Sequence, residues 1–374
     1  MRLSLSRSIT ASLCSAILVF ASASNATADE IRNSQWHLKF LNVAQAHRIS
    51  EGQGTTVAVI DTGTVPHPDL RNNLLPGIDL TSANSNAQQD DSGHGTAMAG
   101  IIAAHGDSNT GALGIAPRAK ILPIRDRSAE LSGDSDRLAD AVTKAVEQNV
   151  QIINISSAGG PSARLRMAIQ SAAAADIVVV AGVGNHPGLS TTGFPAMYEG
   201  TLAVGATDRQ GNHSPISVTG ERIQLTAPGV DIFTTRPNDS YRSGTGTSGA
   251  AAIVSGAAAL VRSKFPELSA KEVVHRLTAT AVDKGPPGRD EQYGYGVLDL
   301  VAALTADVPP LGASADPSVG PSPGPSGSSA AGQPPGNGSS GGWRPGVFVL
   351  GAVAAVGLVG AALFVNRRRR RGFD

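Results

Sequence analysis

The chain has 374 residues, of which 41% are hydrophobic, 4% aromatic and 16% charged, with 44 Gly and 23 Pro. That is too apolar for a disordered protein and too irregular for a coiled coil, and it leaves room for one or two globular domains. The 30 basic and 30 acidic side chains cancel, so no net basic field argues for nucleic acid as a partner. Setting aside Arg2, Arg7, the run Arg367 to Arg371 and Asp374 leaves 23 basic against 29 acidic side chains in the body.

Residues 1–28 read as a secretory signal peptide: Arg2 and Arg7, an apolar stretch from Ile9 to Ala23, then Ala26-Thr27-Ala28 as a small-x-small cleavage site. The only cysteine, Cys14, lies inside that stretch. The mature chain, from Asp29, therefore has no disulfide and must rest on its core, for which its size is ample. Residues 29–52 carry Trp36, Leu38, Phe40, Leu41 and Val43. These are too apolar for a free tail and predict an ordered extension packed on the body.

Residues 53–307 alternate between two periodicities. Val57–Ile60, Ile121–Ile124, Ile152–Ile155, Ile177–Val180 and Leu202–Val204 are short aliphatic runs of the kind that form strands buried on both faces. Between and after them, Gly95–Ala104, Arg137–Gln148, Ala163–Ala175, Gly249–Lys264 and Ala270–Ala279 carry helical patterns. This order predicts an α/β fold, a parallel sheet with helices on both faces and a site at the carboxyl ends of its strands.

Three polar blocks fall where that architecture would display them. Val57-Ala58-Val59-Ile60-Asp61-Thr62-Gly63 puts an acid at the end of a buried strand. In Asp91-Ser92-Gly93-His94-Gly95-Thr96, a histidine flanked by glycines opens a small-residue helix. In Gly244-Thr245-Gly246-Thr247-Ser248-Gly249, a glycine turn places Ser248 at a helix N-terminus, where free N–H groups favour negative charge. Each alone is ambiguous, since a strand-end Asp can cap a turn, a His can be structural and a Gly/Ser run can be loop. Asp61-Thr62-Gly63 also matches the aspartic-protease tripeptide, but that chemistry shares a proton between two such motifs and no second one occurs. Gly244-x-Gly246-x-x-Gly249 matches the dinucleotide fingerprint, yet Asn238 to Arg242 before it is no buried strand. Asp90 and Asp91 read as helix-start and solvent residues. The reading calls for no metal and no cofactor.

Beyond the body, residues 308–346 hold 9 Pro, 10 Gly and 8 Ser in 39 residues, a disordered linker that as a flexible coil would reach about 30 to 40 Å. Residues 347–365 then run 19 residues without a charge, close to the roughly 20 needed for a transmembrane helix. The basic tail, residues 366–374 with Arg367 to Arg371, predicts by the positive-inside rule a cytoplasmic C-terminus and an extracytoplasmic body on a single-pass anchor. No LPxTG-type sorting motif precedes the span.

Taken in order, Asp61, His94 and Ser248 supply an orienting acid, a general base and a nucleophile. With V-A-V-I-D-T-G, G-H-G-T-x-x-A-G-I-I-A-A and G-T-S-x-A-A around them, the sequence resembles the subtilisin-family serine proteases over Gly54 to about Leu304. The resemblance implies a subtilisin-like fold and serine endopeptidase activity on protein or peptide substrates. It also makes Asn185, in Val178 to Asn185, the side-chain donor of the oxyanion hole. Asn154 to Gly160 resembles the family segment that pairs with substrate backbone, making Ser156, Ser157, Ala158, Gly159 and Gly160 substrate-binding.

A narrower resemblance joins Ile31 to Leu38, the proline-rich tether, the single span and the basic tail to the mycosins, membrane-anchored subtilisins of type VII secretion systems. It implies a type VII secretion complex as partner, no long inhibitory propeptide, and a short helix over Ala44 to Ile49. The chain departs from the family in having no mature disulfide, Gly249 in place of a larger residue, and Ala252 and Ile253 where Pro and its neighbour are usual. Two alternatives stay open: a catalytically idle scaffold of a secretion complex, and a general surface protease unconnected with secretion.

Overall fold

Aliphatic runs with no polar face can be satisfied only as strands covered on both sides, and the computed structural model, which describes residues 30–82, 86–107, 110–127 and 134–311, builds them so. After a helical turn over residues 30–34 come two short helices, α1 (Trp36–Phe40) and α2 (Val43–His47). They are followed by β1 (Thr56–Asp61), β2 (Ile78–Asp79) and α3 (His94–Ala103). A small hairpin, β3 (His105–Asp107) and β4 (Thr110–Leu113), leads to β5 (Lys120–Arg125). Then α4 (Ser135–Glu147), β6 (Ile152–Ile155), α5 (Ala163–Ala174), β7 (Val178–Gly182), β8 (Thr201–Thr207) and β9 (Leu225–Pro228) complete the sheet. A hairpin, β10 (Ile232–Arg236) and β11 (Ser240–Gly244), precedes α6 (Thr247–Lys264), α7 (Ala270–Ala279) and α8 (Leu300–Thr305).

The main sheet has the order β2-β5-β1-β6-β7-β8-β9, every pairing parallel. Side chains alternate between its faces with period two. Val57 and Val59 of β1 pack into the core under α3, α6, α7 and α8, while Ala58 and Ile60 enter the second core under α4 and α5. The chain leaves β1 towards β5 on one side and returns to β6 on the other. That reversal opens a crevice at the carboxyl ends of β1 and β6, where such sheets bind ligands. Each of the five predicted strands and five predicted helices is present to within three residues at each end. The short helix expected over Ala44 to Ile49 runs Val43–His47. Ser240–Gly244 is a strand, but an exposed antiparallel one. The dinucleotide fingerprint therefore has no buried strand before it.

Residues 30–50 lie on the body. The Gln35 side chain clasps the backbone of Leu113, accepting its N–H at 2.9 Å and donating to its carbonyl at 3.0 Å. Trp36 Nε1 donates to the Val230 carbonyl at 3.1 Å, and Ser50 Oγ to that of Leu260 at 3.0 Å. Leu41, Val43 and Ala46 are buried. His37 is buried as well, with neither ring nitrogen hydrogen-bonded to protein, and burial lowers its pKa to about 3.

The unfolded chain takes up a proton at His37 below its ordinary pKa of 6.5, whereas the folded chain resists it down to about 3. This contribution is full above pH 6.5 and shrinks as pH falls, by about 1.4 kcal/mol per unit. His37→Phe is expected to remove that slope. Thermal unfolding at pH 7.5 and pH 5 checks it, and equal losses in the two proteins would count against it.

Among the described residues no helix is long and apolar enough to cross a membrane. The expected signal peptide, the expected linker beyond Leu311, the apolar stretch 347–365 and the basic tail lie outside the described residues.

Candidate active site

Asp61 ends β1, so the strand itself delivers the carboxylate, fully buried, to the crevice. Its oxygens lie 2.8 and 2.9 Å from His94 Nδ1, and Oδ1 also accepts the Thr62 N–H at 2.8 Å. A carboxylate on Nδ1 fixes the tautomer whose Nε2 carries the lone pair, the form a general base needs. The imidazole side chain is 33% exposed, open to the crevice.

His94 is held there by local chemistry. A Cβ on Gly95 would fall 2.0 Å from the Gly63 carbonyl oxygen, so only glycine lets α3 start against the turn that follows β1. Asp90, buried, ties the two together. Its Oδ1 accepts from Thr62 Oγ1 at 2.7 Å and Gly93 N at 2.8 Å, and its Oδ2 from Thr96 N at 2.8 Å and Thr96 Oγ1 at 2.7 Å. Asp90 is thus a helix-start residue, and Asp91 is an exposed one paired with Arg125.

Ser248 is the second residue of α6, in the turn whose N–H groups lack helical partners. Its Oγ donates to the Ser156 carbonyl at 3.2 Å, while Ser156 Oγ donates to the Ser248 carbonyl at 3.2 Å. His94, Ser248 and Asn185 line one cavity of about 290 Å³. Asn185 Oδ1 accepts the Thr247 N–H at 2.9 Å, leaving Nδ2 as a donor without a partner among the described residues. Asn185 and Ser248 also border a second cavity of about 330 Å³, walled by Ser156, Ser157 and Ala158 on one side and Gly184 and Leu189 on the other. A larger hollow of about 480 Å³ beside His275 and Pro309 joins no such set, so size does not locate the site. Gly159 and Gly160 do not line either crevice cavity. Gly159 exchanges backbone hydrogen bonds with Phe194 at 2.9 and 3.2 Å, and the Gly160 carbonyl accepts from Ser135 Oγ at 3.0 Å. Among the described residues no cluster of His, Cys, Asp or Glu could hold a metal ion.

Two residues escaped the sequence reading. Arg127 Nη2 lies 3.0 Å from Asp61 Oδ1, and its Nη1 lies 2.9 Å from Asp126 Oδ1. Burial opposes ionisation of Asp61, but Arg127, His94 and the Thr62 N–H outweigh it and hold the carboxyl down to about 2. Burial pushes Asp126 up to about 6, with the charge of Asp61 adding and Arg127 opposing. The one available signal was Arg125-Asp126-Arg127, three charges closing the apolar run Ile121 to Ile124.

Residues 52–296 match the subtilase family. Subtilisin DY of Bacillus licheniformis is 38% identical over 259 residues, 68% of this chain and 92% of that protein. Subtilisin Savinase of Lederbergia lenta is 37% identical over 270 residues, 72% of this chain and 97% of that protein. Among solved structures, MycP1 with its N-terminal propeptide removed superimposes with a TM-score of 0.67 at 32% identity, covering 73% of this chain and 98% of that one. The MycP3 protease from the type VII (ESX-3) secretion system gives 0.65 at 33% identity, covering 73% and 88%. The sheet order, the Asp61 and His94 pair beside Ser248, and these likenesses agree: the chain belongs to the subtilase family, is a subtilisin-type serine endopeptidase, and is similar in structure to the mycosins MycP1 and MycP3.

Proposed function

We propose that the protein is a membrane-anchored, extracytoplasmic endopeptidase in which Asp61, His94 and Ser248 form the triad, Asn185 completes the oxyanion hole, and the work serves type VII secretion. The observation that carries this reading is the short Asp61 to His94 Nδ1 contact in a cavity that also holds Ser248 and Asn185. Turned from Ser156 towards His94, the Ser248 hydroxyl gives its proton to Nε2 as its oxygen attacks the substrate carbonyl. The tetrahedral oxyanion is met by Asn185 Nδ2 and the Ser248 N–H. His94 then protonates the leaving amine, and water hydrolyses the acyl-enzyme by the same route.

Ser156 to Ala158 wall the cavity beside Ser248, which suits an extended peptide with its P1 side chain directed there. The Leu189 Cδ1 atom fills part of it, within 2.5 Å of where a Cβ on Gly184 would sit and 3.0 Å of one on Gly193. Small P1 residues are therefore favoured. Leu189→Gly is expected to raise kcat/KM for a Phe P1 peptide relative to an Ala one by about 10-fold or more, since a methylene in such a pocket is worth roughly 1–3 kcal/mol. An unchanged Phe to Ala ratio would show that Leu189 does not set the pocket.

Anchoring rests on the apolar run 347–365 followed by Arg367 to Arg371, and secretion on the likeness to MycP3, described as part of a type VII system. The deciding experiment treats the full chain with a fluorophosphonate probe and maps the adduct. Labelling at Ser248 is expected, and folded protein that takes no label would refute the activity. For topology, protease shaving of intact cells should release the body and spare a tail epitope. The resting Ser248 hydroxyl, bonded to Ser156 instead of His94, favours a second reading as an idle scaffold. That reading wins if cells carrying Ser248→Ala secrete normally while deletion abolishes secretion.

A further inference from the structure

We propose that Arg127 and Asp126 form a charge regulator of the triad, in which Arg127 shares the Asp61 carboxylate with His94 and Asp126 decides how much of that carboxylate's charge Arg127 cancels. The inference rests on the reading of Asp61, His94 and Ser248 as the reacting set. Arg127 touches no reacting atom and is a positioning residue acting through Asp61.

The geometry is specific. The oxygen that faces His94 Nδ1 at 2.8 Å also faces Arg127 Nη2 at 3.0 Å, and the other end of the guanidinium lies 2.9 Å from Asp126 Oδ1. The side chains of Asp61, Asp126 and Arg127 are 0%, 1% and 12% exposed, so water screens their mutual fields weakly. Asp61 assists the reaction by supporting positive charge on His94 while Ser248 loses its proton. A guanidinium on the same oxygen subtracts from that support, and an ionised Asp126 restores it.

The neighbouring charges are otherwise engaged. Arg137 of α4 donates to the Asp126 main-chain carbonyl at 3.1 Å, not to its carboxylate, and Arg125 is paired with Asp79 and Asp91. Asp90 is taken up by Thr62, Gly93 and Thr96. Loss of the Asp126 charge near pH 6 leaves Arg127 paired with Asp61 alone as the medium turns acid, which disfavours a proton on His94 but also weakens its support by Asp61. The pair thus tunes both the acid limit and the rate.

The test is the pseudo-first-order rate of fluorophosphonate labelling of the full chain between pH 5 and 9. Removing a nearby cation favours imidazolium, so Arg127→Gln is expected to move the acid limb up by about one pH unit. Asp126→Asn strands the cation and is expected to move the limb down by about one unit and lower the plateau several-fold. The double variant, with the pair again neutral, returns close to the parent. Thermal unfolding at pH 7 identifies the folded variants. If Arg127→Gln alone does not fold, the downward shift in Asp126→Asn and its reversal in the double variant carry the test. An unmoved limb in Asp126→Asn, or two single variants that shift in the same direction, overturns the regulator while leaving the triad intact. A parent protein that takes no label overturns both.

Discussion

Ser248→Ala is expected to abolish fluorophosphonate labelling and to lower kcat on a peptide p-nitroanilide by about 10⁶-fold, whereas Asn185→Ala should label still but lose about 10²–10³ in kcat. The asymmetry follows from what each group does. Without the Ser248 hydroxyl no acyl-enzyme forms, and only binding and the oxyanion donors remain. Without the Asn185 amide the nucleophile survives, but one of two donors to the developing charge is gone, a loss of about 2.7–4 kcal/mol in the barrier. In the proposed role Asn185 meets the oxyanion and not the ground-state carbonyl, so the deficit is expected in kcat with KM nearly unchanged. Asn185 also accepts the Thr247 N–H, so the Asn185→Asp variant, which keeps that acceptor and loses the donor, separates catalysis from helix support. An effect of Asn185→Ala below about threefold would remove it from the oxyanion role.

A chain beginning at Gly52 is expected to lose about 10 °C or more in Tm, while labelling per folded molecule stays within about twofold. Leu41 and Val43 are almost fully buried, and each such side chain contributes about 1.5–3 kcal/mol. The Gln35, Trp36 and Ser50 hydrogen bonds to the body add about 1 kcal/mol each. Against a net stability of about 5–15 kcal/mol for a folded domain, that is a large share. None of these contacts falls among the residues that line the cavities around Ser248, so the segment stabilises the body without covering the crevice. Unchanged stability with manyfold faster labelling would make the segment an inhibitor and this account wrong.

What was legible in the sequence is what short-range chemistry decides. Val57 to Ile60 is wholly apolar and Ile152 to Ile155 is interrupted only by Asn154, whose buried amide bonds to Ser156 and Ser255, so both runs suit strands covered on both sides. The helix of Ala163 to Ala174 begins at Ser162, whose side chain accepts the Leu165 N–H, a local cap. The local settings of Asp61, His94 and Ser248 were legible: a strand end, a glycine-flanked helix start and a helix N-terminus.

The tertiary structure decided what depends on neighbours far along the chain. β9 is four residues long and its Thr226 N–H and carbonyl are shared with Gly296 and Leu298, partners no window around it contains. Gly159 exchanges backbone hydrogen bonds with Phe194, and the Gly160 carbonyl accepts from Ser135, neighbours that the local sequence does not reveal. Arg127 reads in the sequence as one charge among three. Only the parallel register of β1 with β5, which sets Asp61 beside Arg125, carries the next turn of chain back over the carboxylate. Burial there turns a surface-type residue into a partner of Asp61, and burial is a property of the whole fold that no single segment encodes.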